Sequence, residues 1–439
     1  MQQVETWMLI PFCIMLLTIA IAPLLAKRLW ESNFNKLIFT LIVAIPTAVI
    51  LFRHGLGRAL AEQLLFDYVP FIILLGALFV VTGGIRLNYN TVATPWVNTI
   101  MLFVGYGIAS FIGTTGAAML LIRPLLEINR TRIHKVHTVL FFIALVANCG
   151  GILSPLGDPP LFLLYLRGTP FNWFSSMHDE WLMVGTVLLT IYFLLDMYYF
   201  RHKEIIGVRH IHDDEPADED QPLTISIKGM SNAFLLGAII LCVAIINPGN
   251  IPAMGHEDAP LYLRFLREIA LIVIAWLSLS TTRKSIRREN HFSWEPITEV
   301  AILFIGIFTT MTPALMYLNA NAASLGITSP AQFYYSAGAL SSVLDNAPTA
   351  VAFHTVAKAL PTMDGTTIIA GIAEPLLTAI ALGAVFFGAM TYIGNGPNFM
   401  VKAIAEKEGV RMPSFFGYIF KFSLPVLLPV YILVQILFL

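Results

Sequence analysis

Charged side chains are scarce in this sequence. Lys, Arg, Asp and Glu together make up 12% of the 439 residues, whereas soluble domains carry roughly 25%. The 26 basic and 27 acidic residues nearly cancel and leave a formal net charge of −1. A balanced and weakly charged chain offers no basic surface for nucleic acid, so we expect no nucleic-acid partner.

Cysteine is also rare, and the sequence has no residue pattern that indicates catalysis. The three cysteines, Cys13, Cys149 and Cys242, all lie in apolar runs. An odd number of cysteines without a pairing pattern argues against a disulfide framework. Cys/His clusters for a transition metal and nucleophile–base pairs are likewise absent from the sequence. We therefore expect neither an enzyme nor a bound cofactor.

Long apolar stretches are abundant instead. Hydrophobic residues make up 57% of the chain, and about 18 or more in a row can cross a bilayer as a helix. Apolar runs lie at about 6–26, 36–53, 68–85, 97–126, 136–168, 180–200, 229–248, 264–281, 295–316, 335–360, 371–400 and 415–438. They predict an all-α, multi-pass protein of the inner (plasma) membrane, with the lipid bilayer as its main partner.

Four of these runs are interrupted by residues that break helices. Runs 97–126 and 335–360 have the polar centres "SFIGTTGAAM" and "SSVLDNAPTAVAF", and runs 136–168 and 371–400 contain "GGILSPLGDPP" and "GAMTYIGNGPN". Gly and Pro disfavour helix interiors. The backbone groups that they leave unpaired are tolerated in a membrane only where they line a cavity or bind something. The four breaks therefore predict a binding site at mid-membrane.

The two halves of the chain present these features in the same order. Each half has three spans, a polar-tipped apolar segment, a broken span and a final span. A shift of 232 lays residues 110–116 on 342–348, and a shift of 237 lays 157–162 on 394–399. Repeats with broken segments in matching positions are typical of secondary transporters. We assign 1–200 to a first repeat, 229–439 to a second inverted repeat, and 201–228, with its acidic run "HDDEPADEDQP", to a cytoplasmic linker.

Basic residues predict the orientation of the spans, because positively charged loops favour the cytoplasmic side. The clusters are Lys27/Arg28, "RTRIHK", "RHKEIIGVRH" and "RKSIRR". All four lie on one side of the membrane only if 97–126 turns back on itself. At a rise of about 1.5 Å per residue, the run is long enough for two helices that each cross half of the membrane. By symmetry, 335–360 is a second re-entrant hairpin that enters from the opposite face. Each half then crosses the membrane five times.

The side chains around the four breaks form an all-oxygen set, which suits a hard cation such as Na⁺. Within this set, Asp158, Asp345 and Asn346 would contact the cation. Asp158, Asp345 and His354 are candidates for proton coupling, and a packing role for His354 stays open. The candidate ion- or substrate-binding residues are Thr114, Thr115, Asn148, Ser154, Asp158, Ser342, Asp345, Asn346, Thr349, Thr391, Asn395 and Asn398.

Asp158 and Asn395 occupy matching positions, since each follows the glycine of a broken span. We expect them to lie close together at mid-membrane, near Thr114 and Asp345. Other acids in or next to apolar runs, among them Asp67 and Asp196, lie near the predicted span ends. Solvation at the level of the headgroups is the expected state of these acids.

At these motifs the chain resembles the ion transporter superfamily, which includes sodium/proton antiporters, arsenite exporters and citrate or dicarboxylate carriers. "NCGGILSPLGDPPLFLLYLRG" and "SSVLDNAPTA" are most similar to the bacterial sodium/proton antiporters and also resemble a group named after citrate transport. The resemblance implies a scaffold domain, a mobile transport domain, elevator-type alternating access and often a homodimer. It implies functional roles for Asn148, Asp158, Asp345 and Asn346.

The chain departs from the pattern of these relatives in two places. The tips read Gly-Thr-Thr and Asp-Asn-Ala, where the resemblance to carboxylate carriers would require Ser-Asn-Thr at both. Prolines follow Asp158, where the antiporters place threonines. The first departure counts against citrate, and the second weakens the assignment of Na⁺.

From these observations we predict a sodium (or lithium)/proton antiporter. Asp158 and Asp345 would alternate between protonated and Na⁺-bound forms, and competition between the two cations for one carboxylate gives exchange. One alternative is a cation-coupled citrate/dicarboxylate carrier, which requires a cationic or amide-rich anion pocket between the tips. A further alternative is an oxyanion (arsenite-like) exporter that works with a partner ATPase, which a continuous pore would favour.

Overall fold

The computed structural model describes residues 4–30, 32–90, 93–204, 224–256, 258–361 and 365–439, and most of them are helical. Every apolar run of the sequence contains a helix. Among the described residues, eight helices are long and apolar enough to cross a membrane by length and composition. The predicted class, an all-α multi-pass membrane protein, is confirmed.

Among the described residues, the first part of the chain contains ten α-helices. They are α1 (Ile10–Leu25), α2 (Lys27–Trp30), α3 (Asn33–Arg53), α4 (Gly57–Gln63), α5 (Val69–Thr82), α6 (Pro95–Ile112), α7 (Thr114–Ile128), α8 (Val136–Leu145), α9 (Pro159–Leu166) and α10 (His178–Tyr199). A π-helical turn, Leu64–Tyr68, joins α4 to α5, and another, Phe200–Glu204, extends α10.

The second part adds eleven α-helices within the described ranges. They are α11 (Met230–Ile245), α12 (Leu261–Arg264), α13 (Leu266–Thr281), α14 (Lys284–Glu289), α15 (Glu295–Asn321), α16 (Pro330–Val343), α17 (Asn346–Lys358), α18 (Glu374–Gly388), α19 (Gly396–Lys407), α20 (Phe415–Tyr418) and α21 (Leu428–Phe438). A π-helical segment, Ile419–Leu427, makes α20 and α21 one continuous rod.

Within the described ranges, two small antiparallel sheets accompany the helices. Strand β1 (Arg86–Asn90) pairs with β2 (Thr224–Lys228), with Arg86 opposite Lys228, and β3 (Ile368–Ile369) pairs with β4 (Ile372–Ala373). Sequence patterns did not indicate β2, which falls inside the predicted linker. The end of that segment is thus held against the first half of the chain, while the acidic run lies outside the described residues.

Helices α6 and α7 form a hairpin around Gly113. This glycine has φ +81°, a conformation that costs other residues strain. Asn98, near the start of α6, exchanges two side-chain hydrogen bonds of 3.0 and 2.8 Å with Asn129, which follows α7. The chain therefore enters and leaves this hairpin at the same end. The expectation of two half-length helices is wrong for α6, because its 18 residues extend for about 27 Å.

Helices α16 and α17 form the second hairpin. The chain turns at Leu344 and Asp345, and the rings of Phe333 and Phe353 stack edge to face at 6.1 Å between the two helices. The Oδ1 atom of Asp345 accepts a 3.0 Å bond from the backbone N–H of Ala347 and so caps α17. The faces from which the two hairpins enter the bilayer stay a prediction.

In each broken span, the backbone passes very close to itself at a pair of glycines. A Cβ atom on Gly157 would lie 1.9 Å from the carbonyl oxygen of Gly151, and one on Gly394 would lie 2.6 Å from that of Gly388. The two pairs differ by the same shift of 237 that relates the motifs in the sequence. Only glycine permits this approach of backbone to backbone, which explains these residues in both breaks.

The helices pack in two groups. Helix α3 packs on α15, α5 packs on α13 and α11, and α1 also contacts α15. The second group contains both hairpins and both broken spans, through the contacts of α6 with α7, α16 with α18, and α9 with α17. The groups meet where α17 lies against α15 and α7 against α5. This division positions the candidate site within the second group, at its border with the first.

Candidate functional site

The carboxylate of Asp158 lies where all four breaks meet. Its Oδ1 accepts hydrogen bonds from Thr114 Oγ1 at 2.6 Å and Asn395 Nδ2 at 3.1 Å, and its Oδ2 accepts one from Asn346 Nδ2 at 2.5 Å. Thr114 and Asn346 come from the two hairpin tips, while Asp158 and Asn395 come from the two broken spans. Asp158 is 2% exposed, so these donors replace water around a buried carboxylate.

The backbone explains why Asp158 is available to these partners. It precedes α9 with φ −144° and ψ 145°, and its side chain does not cap the helix because Pro159 and Pro160 have no N–H to donate. Asn395 precedes α19 with φ −150° and ψ 139° and does not cap its helix either. Both side chains therefore turn away from their own helices and towards each other.

Four helices begin at this point, namely α7, α9, α17 and α19. A helix N-terminus carries a partial positive charge of roughly half an elementary charge. The ends around Asp158 favour its ionised form, which opposes the cost of burying a carboxylate.

A second shell of amides joins the two broken spans. The Oδ1 atom of Asn148 accepts a 3.1 Å bond from Asn395 Nδ2, and its Nδ2 donates a 2.6 Å bond to Asn398 Oδ1. Asn398 in turn donates to the carbonyl oxygens of Gly388 and Thr391 at 2.8 and 2.9 Å. These amides hold the backbone of the breaks and orient the Asn395 donor towards Asp158.

The hydroxyls of Ser154 and Thr391 act on the backbone of the hairpins. Ser154 Oγ donates to the carbonyl oxygen of Ser110, and Thr391 Oγ1 donates to that of Ser342 at 2.5 Å. Ser154 and Thr391 are related by the shift of 237, and Ser110 and Ser342 by that of 232. The same bond thus ties each broken span to the hairpin of its own half. Both hydroxyls support the site and make no hydrogen bond to Asp158.

The remaining candidates of the second hairpin are satisfied locally. Ser342 Oγ donates to the carbonyl oxygen of Ala339 in its own helix, and Thr349 Oγ1 donates to that of Asp345. Asp345 lies close enough to Asp158 for the two carboxylates to repel each other. The structure therefore places Asp345 beside the cluster at the hairpin tip rather than among the hydrogen-bond partners of Asp158.

One oxygen atom next to Asp158 is buried and unsatisfied. The Oδ1 atom of Asn346 has no hydrogen-bond partner in the part of the chain that the structure describes, although Nδ2 of the same amide contacts Asp158. A buried carbonyl oxygen without a partner costs about 1–3 kcal/mol. Carbonyl and carboxylate oxygens are the ligands of hard cations, and Asn346 Oδ1 and the Asp158 carboxylate are one oxygen group of each type.

A small cavity of about 70 Å³ touches the first hairpin tip. Gly113, Thr114 and Thr115 form its polar wall, and apolar side chains of α5 and α15, such as Leu78 and Val300, form the opposite one. It lies at the border between the two packing groups. Thr115 lines this cavity and, among the described residues, makes no hydrogen bond to the Asp158 carboxylate.

The structure does not bring His354 to the cluster. His354 lies eight residues beyond Asn346 in α17, which is about 12 Å along the helix. It is 1% exposed, and neither ring nitrogen has a hydrogen-bond partner among the described residues. Across the described ranges, His, Cys, Asp and Glu side chains form no cluster of three or more that could hold a metal ion. A cation at Asp158 would depend on neutral oxygens for its other ligands.

Sequence reasoning placed Asp196 at a solvated span end, and this expectation is wrong. Asp196 is fully buried and accepts bonds from Arg132 at 2.6 and 2.9 Å and from His137 Nε2 at 2.8 Å. Asn98 and Tyr192 add bonds of 3.2 and 3.1 Å. The cluster fixes the base of the first hairpin to α8 and α10. The rule that a charged residue inside a membrane usually has a partner could have indicated this group.

Asp67 was also expected to be solvated, and its carboxylate is paired instead. The Oδ2 atom of Asp67 lies 2.9 Å from Arg167 Nη2, and both side chains are mostly buried. Arg167 follows α9, the helix that begins at Asp158. The pair thus fixes the far end of that helix to the first packing group.

The chain is similar to proteins that are described as transporters. A family model described as "Putative citrate transport" matches residues 1–439. An uncharacterized transporter of Synechocystis sp. is 24% identical over 313 residues, which cover 66% of this chain and 65% of the relative. The match therefore spans slightly less than two thirds of the length of that relative.

Proposed function

Because the chain belongs to this citrate transport family, which makes it a transport protein, we propose that it exchanges sodium (or lithium) for protons at Asp158. The observation that carries the proposal is the Asp158 carboxylate at the junction of the four breaks, beside the unsatisfied Asn346 Oδ1. One titratable group with neutral oxygens around it is what competition between H⁺ and a hard cation requires.

The exchange would proceed in two half-reactions. With the carboxylate ionised, Na⁺ binds between Asp158 and Asn346 Oδ1, and Thr114 and Asn395 keep the carboxylate in place. Protonation of Asp158 removes the negative charge and releases the cation. Since one carboxylate cannot hold both ions at once, each proton moved in one direction is coupled to a cation moved in the other. Asp345, which lies nearby, would act as a second acid.

Access from the two sides would require the second packing group to move. Both hairpins and both broken spans belong to that group, so a rigid movement against α5 and α15 would carry the whole site. The cavity beside Thr114 and Thr115 lies on this border, where a movement would open a path to Asp158. Elevator-type transport in the inner membrane, often by a homodimer, is the expectation from the resemblance.

The family description favours a second candidate, a cation-coupled citrate or dicarboxylate carrier. Four amides, Asn148, Asn346, Asn395 and Asn398, surround the site, and four helix N-termini point towards it. This is the amide-rich surrounding that an anion would need. Asp158 itself, however, accepts bonds from two of these amides, and within the described ranges it has no cationic hydrogen-bond partner.

Proton flux in proteoliposomes separates the two candidates. Purified protein is reconstituted with a pH-sensitive dye, and Na⁺, Li⁺, K⁺ or citrate is added. Release of lumenal protons on addition of Na⁺ or Li⁺ without citrate supports the antiporter. The carrier is supported instead if radiolabelled citrate is taken up only with Na⁺ or H⁺ and if Na⁺ does not exchange for protons when citrate is absent. That result would overturn the antiporter.

A further inference from the structure

A larger cavity lies at the other end of α7. Its volume is about 320 Å³, and its walls come from α7, from the loop after it, from β1, from the end of α14 and from Glu408 beyond α19. Arg123, which reaches into it, lies nine residues beyond Thr114, or about 14 Å along the helix. This cavity is therefore separate from the Asp158 site.

The cavity has four cationic side chains and three carboxylates in its walls. Arg86 is paired with Glu289 at 3.5 Å. Lys135 donates to the backbone oxygens of Asn129 and Arg130. Burial lowers the pKa of its ammonium group, and the negative charge of nearby Glu408 partly offsets this lowering. Glu289 also pairs at 3.2 Å with Lys228, which does not line the cavity. These interactions account for two of the cations and two of the acids of the walls.

Arg123 and Arg130 are the two cations that remain. Within the described ranges, neither guanidinium group forms an ion pair. Glu127, one turn beyond Arg123, is the third carboxylate of the walls. The four cations and three acids give the walls a formal net charge of +1, so one further negative charge would neutralise them.

We propose that this cavity binds a phosphate group, with Arg123 and Arg130 as its two main contacts. A guanidinium group donates two parallel hydrogen bonds to an oxyanion. A planar carboxylate presents its two oxygens in one plane, and a guanidinium group that binds both of them occupies one edge of that plane. A tetrahedral phosphate also offers oxygens on other sides, so one guanidinium from α7 and one from the following loop can bind it together.

The phosphate could belong to an anionic lipid or to a small solute. The cavity lies at the end of the molecule that carries "RTRIHK", where the basic loops predict the cytoplasmic leaflet. Anionic headgroups collect there, and basic pockets between spans bind them. A phosphodiester brings the single negative charge that the walls require. The ligand chemistry is the same for both sources, and the experiment distinguishes them.

Binding is measured on purified, delipidated protein in neutral detergent at constant ionic strength. Calorimetry with inorganic phosphate and glycerol 3-phosphate tests a solute. Native mass spectrometry with phosphatidylglycerol against phosphatidylcholine tests a lipid. We expect one of the two phosphate sources to bind, and Arg123→Gln to weaken that binding at least tenfold. Arg123→Lys, which keeps the charge and loses the paired donors, should give an intermediate loss.

Arg283→Gln is the matched control, because Arg283 is an exposed cation of the same basic end and does not line the cavity. It should bind phosphate like the wild type. If Arg123→Gln fails to fold, the exposed Arg130→Gln replaces it. Asp158→Asn should bind phosphate normally, so a failure of the exchange proposal would not affect this one. Equal binding by Arg123→Gln and Arg283→Gln, or binding of citrate or acetate as tight as that of phosphate, would overturn the proposal.

Discussion

The Nδ2 atom of Asn395 lies 3.1 Å from Oδ1 of Asp158, although 237 positions separate the two residues. Both precede a helix with almost the same backbone angles, and neither caps that helix. Equivalent positions of the two broken spans thus hold one acid and one amide that contact each other. The site therefore has one fully buried titratable group at its centre, and this asymmetry can be tested.

Asp158→Asn should reduce Na⁺-driven proton flux by at least a hundredfold. The amide keeps the size of the side chain but can neither lose a proton nor neutralise a cation. Flux is measured in proteoliposomes at equal amounts of folded protein. Asp179→Asn, at an exposed acid in the first turn of α10, should leave flux unchanged. Undiminished exchange by Asp158→Asn would show that the cluster is structural.

Asp345→Asn separates charge from capping at the second hairpin tip. Asn is as good an N-cap as Asp, so the thermal midpoint should stay near that of the wild type. We expect flux to fall at least tenfold, since a second acid beside Asp158 is lost. Asp345→Ala removes the cap as well and should cost about 1 kcal/mol of stability. Normal flux with Asp345→Asn would remove this residue from the mechanism.

Asn395→Asp should move the pH optimum of exchange to higher pH. The new carboxylate would lie about 3 Å from that of Asp158, and two acids at such a distance retain one proton between them. That proton has to leave before a cation binds, which requires a more alkaline solution. The pH profile of flux is the measurement. Asn395→Ala should lower flux without this shift, and an unchanged optimum for Asn395→Asp would contradict the shared site.

Gly157→Ala should prevent correct folding. The added Cβ would lie 1.9 Å from the backbone oxygen of Gly151, and a backbone atom cannot move away as a side chain can. Overpacking of this kind costs about 1–3 kcal/mol or more. Gly107→Ala in α6 is the control, because a Cβ there meets nothing within 4 Å. The yield of monodisperse protein and its thermal midpoint should fall for the first variant only.

Asp196→Asn should destabilise the protein by about 3–5 kcal/mol, since it leaves Arg132 buried without its counter-charge. The thermal midpoint in detergent measures this loss. The exposed pair of Arg58 and Glu62 gives the comparison, and Glu62→Gln there should cost less than about 1 kcal/mol. A similar loss for both variants would mean that the cluster at the hairpin base does not hold the hairpin.

The sequence by itself determined the fold class and the positions of the breaks. Apolar runs long enough to span a bilayer form helices, because a helix pairs every backbone N–H and C=O group within its own segment. Gly and Pro act locally on the backbone, so the interruptions in 136–168 and 371–400 appear in the structure where the sequence placed them. The shifts of 232 and 237 likewise relate residues that make the same hydrogen bonds, such as Ser154 and Thr391.

Only the tertiary structure decided which polar side chains meet. Asn346 and Asn395 contact Asp158, whereas His354 and Ser342 do not. The direction of a side chain depends on how helices pack across hundreds of residues. The partners of Asp196 in α6, in α8 and in the loop after α7 depend on the same long-range packing, whereas Tyr192 lies one turn before it in α10. The strand Thr224–Lys228 forms only because β1 offers it an edge. Gly and Pro determine locally where the helices are interrupted, whereas the packing of the helices determines which side chains contact each other there.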